Sequence, residues 1–89
     1  MELLPKEEVI EILSEMNPDA LYADGWEDAL VSICERFGQP PLAAYSYDKI
    51  IEIMMTRDGM SHEEAAEFFD FNVIGAWMGE NTPVFIRTV

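Results

Sequence analysis

Apolar positions near the start of the chain fall at Val9, Ile12, Leu13 and Met16, with acids between them. That i, i+3, i+4, i+7 stripe predicts a one-sided amphipathic helix over 5–16. Pro5 suits its first position, where a missing N–H costs nothing. Glu7 and Glu8 complement the positive end of the helix dipole, and Asn17-Pro18 stops it. NPDALYADGWED, residues 17–28, is a polar connection with a turn expected at Asp24-Gly25. The next stretch, ALVSICERFGQPPLAAYSY, supports two readings. Trp26, Leu30, Ile33 and Phe37 share a helical face; alternatively, two short strands flank an FGQPP turn. Pro40-Pro41 forbids one continuous helix. A hairpin is favoured because a C-terminal strand needs a sheet to join, while strand or helix over 29–37 stays open.

A second helix follows in YSYDKIIEIMMTRDG, with Ser46 as cap, a stripe of Tyr47, Ile50, Ile51 and Met54, and Gly59 as the left-handed terminator. A third is expected over 61–78. It opens on Ser61-His62-Glu63-Glu64, a capping box. Ala65, Phe69, Val73 and Ala76 lie on one of its faces, and Phe68, Phe71, Ile74 and Met78 on the adjoining one. Its acids, Glu63, Glu64, Glu67 and Asp70, all fall in the first half. The expectation is a solvent-facing start and a surrounded end, with Gly75 admitting another backbone closely and Gly79 ending the helix. Thr82-Pro83 leads into a final alternating strand, VFIRTV. The fold class is α+β: three helices packed on a small antiparallel sheet made of the hairpin and the C-terminal strand, with a mostly α fold as the alternative. The whole of 1–89 forms a single compact acidic domain.

Composition narrows the function classes. The 89 residues carry 18 acids against five Lys and Arg, a formal charge of −13, which alone would suit a disordered chain. Trp26, Trp77, five Phe and three Tyr, within 49% hydrophobic residues, argue for a folded one. Nowhere does an apolar run reach a membrane-spanning length. Glu2, Glu7 and Glu8 stand where a signal peptide carries Lys or Arg, so no leader is expected. Phosphate backbones and anionic lipid are repelled, so direct nucleic-acid or membrane binding is disfavoured. Cys34, the sole cysteine, fits a small buried hydrophobe in a reducing cytosol. His62, the sole histidine, sits in a first helical turn and is expected to be exposed and non-catalytic. No nucleophile-base pair, zinc ligand set or phosphate-cradling loop can be assembled. Aligning an EF-hand glycine on Gly25 leaves only Asp24 fitting. Catalytic residues, metals and cofactors are therefore all expected to be none.

Charge is concentrated early. Residues 1–35 hold ten acids and one base, Lys6. Glu7, Glu11 and Glu15 form an i, i+4, i+8 row, and each like-charged i, i+4 pair costs a helix ~0.2–0.5 kcal/mol. Helix stability does not explain such a row. Solubility or docking to a basic protein surface does. The candidate partner-binding residues are Glu7, Glu8, Glu11, Glu15, Asp24, Glu27 and Asp28. Acids four apart repeat every ~6 Å, whereas a DNA strand advances ~3.4 Å per charge. Phosphate mimicry would need Glu8 and Asp28 to flank the row.

RDGMSHEEAAEFFDFNVIGAWMGENTPVF resembles a recurring pattern in small proteins of tailed phages and prophages: a DGMS-type cap, a glutamate- and aromatic-rich helix, an FNVIGAW-like core, then GENTPVF. NPDALYADGWEDAL is similar to their N-terminal half. The resemblance implies an accessory protein in the host cytoplasm and transfers no catalytic or binding residue. The functional expectation is a non-enzymatic protein that binds a basic surface of a host or phage protein and inhibits a nucleic-acid-handling defence complex. The alternative is a self-assembling, homodimeric module mated through apolar surface near Trp77, Met78 and Phe85.

Overall fold

A computed structural model describes residues 5–75 and 78–88. Helix α1 (Lys6–Met16) is followed by a connection ending in a 3₁₀ turn, Glu27–Ala29, and then by strands β1 (Leu30–Arg36) and β2 (Gln39–Ser46). Helix α2 (Tyr47–Arg57) leads to α3 (His62–Phe68), which continues as a π-helical turn, Phe69–Val73. Strand β3 (Val84–Ile86) comes last. The fold is α+β, with three helices and a three-stranded sheet ordered β1-β2-β3 among the described residues.

The segment 30–46 is the hairpin rather than a helix. Phe37 and Gly38 alone form its turn, shorter than FGQPP, and Gly38 supplies the φ of 72° that the reversal needs. Pro40 and Pro41 lie inside β2. They fit because Cys34 pairs with Leu42 and Arg36 with Gln39, leaving two prolines opposite the single Glu35. That is a β-bulge, a place where missing amide donors are tolerated. The sheet is not wholly antiparallel. β3 runs parallel to β2, matching Ala44, Tyr45 and Ser46 with Val84, Phe85 and Ile86. The two intervening helices carry the chain back to enter beside Ala44, in the second half of β2, which is the crossover that a parallel pair requires.

The core gathers Val9, Leu13, Leu30, Ala43, Tyr45, Ile50, Ile51, Met54, Ala65, Phe69 and Val73 between sheet and helices. On α1 the buried row is Val9 and Leu13, with Ile10 packed beside it, whereas Ile12 and Met16 of the predicted stripe are largely exposed. Asn17 continues that buried row by one turn. Ser46 caps α2, its Oγ accepting from the Lys49 N–H at 3.2 Å, and Gly59 follows the helix at φ 68°. The α3 capping box forms as predicted: Ser61 Oγ accepts from Glu64 N–H (3.1 Å) and Glu64 Oε1 from Ser61 N–H (2.9 Å).

Phe69 is the hub. Its ring meets Tyr47 edge-on at 4.8 Å and Phe85 at 5.3 Å, and Phe85 in turn lies 6.0 Å from Tyr45. Aromatic contacts of this geometry contribute ~0.5–1.5 kcal/mol beyond their buried area. The Tyr45 hydroxyl accepts from Ala23 N–H at 2.8 Å, tying the long connection to the sheet.

The expectation of a surrounded helix end is overturned. The helix stops at Val73, not 78, and only its Ala65, Phe69 and Val73 face is buried. The adjoining face is open, with Phe71 at 81%, Ile74 at 55% and Met78 at 71% exposure. Phe69 and Val73 already pack toward the sheet, and among the described residues no further element covers the other side. Among the described residues no other element's backbone approaches Gly75; a Cβ there would meet carbonyl oxygens of its own turn, at 3.7 and 3.8 Å. Ala76, Trp77 and Val89 lie outside the described residues.

Candidate functional site

At 100° per residue, Glu7, Glu11 and Glu15 form one row on α1, opposite the buried Val9 and Leu13. Glu8 stands on the far side of that row. All four are exposed. The row formed by Lys6, Ile10 and Ser14 lies on its near side, and the 17–29 connection follows this row antiparallel to the helix. Two contacts fix that course. Ser14 Oγ and Tyr22 Oη are 3.3 Å apart, and Lys6 Nζ bonds the Asp28 carboxylate. The exposed Asp24, Glu27 and Asp28 are thereby held alongside the helix bearing the four glutamates.

The seven candidates differ electrostatically. Asp28 is compensated: its hydrogen bond to Lys6 holds its carboxyl below the ordinary range and raises the lysine. Glu27 is also held low, by its own backbone N–H first and then by the Gly25 N–H, which donates to Oε1 at 3.2 Å. The α1 glutamates are not in either ion pair found among the described residues, Lys6–Asp28 and Arg57–Asp58. Asp28 is thus held beside α1 through Lys6, with its charge offset. The open charge is chiefly that of Glu7, Glu8, Glu11 and Glu15.

The Asp24-Gly25 turn is braced by a residue with no sequence-level signal. Arg57 donates from a terminal guanidinium nitrogen to Gly25 O at 2.9 Å while its guanidinium stacks 4.8 Å over Trp26. Beyond this turn, a cleft of about 270 Å³ is lined by Tyr22, Trp26, Val73, Met78, Pro83 and Phe85, among others. Phe85 is half-buried there rather than presented as open surface, while Met78 is exposed.

His62 is exposed, on the rim of a shallow hollow shared with Tyr47, Ile51 and Met55. Cys34 is a free thiol at intermediate exposure, less enclosed than a core hydrophobe. Among the described residues no cluster of three or more His, Cys, Asp and Glu could hold a metal ion, and no helix is long and apolar enough to cross a membrane. Comparison with protein-family models, with curated proteins and with solved structures finds no match to this chain.

Proposed function

We propose that the chain is a non-enzymatic accessory protein of phage type that docks its α1 acidic face onto a basic surface of a host or phage protein in the host cytoplasm. One observation carries this reading: Glu7, Glu8, Glu11 and Glu15 are all exposed on one helix, outside the ion pairs of the described residues. A row that costs its own helix stability is accounted for when an external cation completes it. The phage context rests on the DGMS, FNVIGAW and GENTPVF stretches. A basic surface broad enough to engage four carboxylates is typical of proteins that handle nucleic acid. The proposed partner is therefore a nuclease-type defence complex, inhibited by occupation of its phosphate-binding face.

The test is capture of partners from infected-host lysate, followed by affinity measurements from 50 to 500 mM NaCl. Affinity should fall steeply with salt. The triple reversal Glu7→Lys, Glu11→Lys, Glu15→Lys should weaken binding at least tenfold and flatten the salt dependence. Unchanged affinity in that variant refutes docking through α1.

A further inference from the structure

The exposed apolar side of α3 and the π turn lies apart from the α1 face. Phe68, Phe71 and Ile74 follow one another at i, i+3, i+6, and Phe71 and Ile74 are more than half exposed. Phe68 and Phe71 share one groove, and the open Ile74 directly follows the π turn. Met60, Phe68 and Phe71 line a shallow groove together with Glu64 and Glu67. Open apolar strips rimmed by charge mark interaction sites rather than ordinary surface.

The charge around the strip selects its occupant. Glu64 and Glu67, both exposed, line the groove, and neither Lys nor Arg is among its lining residues. A second copy placed face to face would bring like-charged rims together. An anionic lipid surface would meet the same repulsion. A basic amphipathic helix matches both components: its apolar stripe covers Phe68, Phe71 and Ile74 while its Lys and Arg reach the carboxylates. We infer that this strip is a second docking site, one that receives a cationic amphipathic helix of a partner protein.

The probe is a 14-residue Leu/Lys peptide with leucines at helical spacing, titrated into the ¹⁵N-labelled protein at 0.3 M NaCl. There the screening length is about 5–6 Å and long-range attraction is suppressed. Amide shifts should cluster on Met60, Glu64, Glu67, Phe68, Phe71 and Ile74. The same peptide with glutamine for leucine should bind at least tenfold more weakly, and a Leu/Glu peptide should not bind. Phe71→Ser with Ile74→Ser should lower affinity at least tenfold. Glu7→Lys, Glu11→Lys, Glu15→Lys should change it less than threefold, which separates this site from the α1 face. The wild-type shift map gives the location of binding even if the double variant folds poorly. The inference is overturned if shifts fall on α1, if the glutamine peptide binds equally well, or if the folded double variant binds like wild type. It is also overturned if a dilution series shows a dimer through these residues that the peptide does not displace.

Discussion

The Asn17 side chain donates through Nδ2 to Pro41 O (2.9 Å) and Asn81 Oδ1 (3.0 Å), and its own Oδ1 accepts from Asp19 N–H (3.1 Å). It is the one buried polar residue among those described. Three distant segments, the end of α1, the start of β2 and the turn before β3, meet on this amide. Asn17→Ala would leave Pro41 O, Asn81 Oδ1 and Asp19 N–H without that partner. Each such loss in a part-buried site costs ~1–3 kcal/mol. Urea unfolding should show a lower midpoint for the variant at an unchanged slope. In the sequence Asn17 is legible only as half of a helix-stopping Asn-Pro pair. Its partners are 24 and 64 positions away, and a side-chain bond over that separation leaves no local pattern.

At the level of elements, the α3 capping box carries a pH signature. The Ser61 backbone N–H, and secondarily its side chain, hold the Glu64 carboxyl below its ordinary value of 4.5. A depressed carboxyl contributes stability that is present above that value and is lost as pH falls through the folded value. The stability difference between wild type and Glu64→Gln should therefore narrow below about pH 4.5, read by urea titrations from pH 3 to 7. Ser61→Ala should cost about 1 kcal/mol at pH 7. Caps and stripes of this kind are short-range, so α1, α2 and the start of α3 were legible, whereas the hairpin was only favoured, because 29–37 fits a strand or a helix and its pairing is settled by contacts outside the segment. Less legible was where an apolar face finds a neighbour. The sequence puts Phe69 and Phe71 on adjoining faces of one helix and expects both to be enclosed; the packing of Phe69 against Tyr47 of α2 and Phe85 of β3 decides which is interior. The acidic row was legible as a pattern. The folding of the 22–28 segment beside it, pinned at Ser14 and Lys6, was not.

For the molecule as a whole, Phe69 and Phe71 form a matched pair. Phe69→Ala empties the junction of sheet, α2 and β3 and should cost ~3–5 kcal/mol. Small domains have only about 5 kcal/mol or little more to lose, so circular dichroism should find the variant largely unfolded at 37 °C. Phe71→Ala, at an open position, should stay within about 0.5 kcal/mol of wild type. Net charge acts at the same scale. A chain at −13 repels itself, so the wild-type melting temperature should rise as NaCl is added from 20 to 300 mM. Screening that repulsion also lets molecules approach one another, and here the two prolines of β2 acquire a further consequence. The ladder to β3 covers only Ala44–Ser46. The stretch before it is kinked at the bulge and lacks two amide hydrogens. An incoming strand from a neighbouring molecule finds no straight template to extend, so brine that removes electrostatic protection should not seed fibrils along this border.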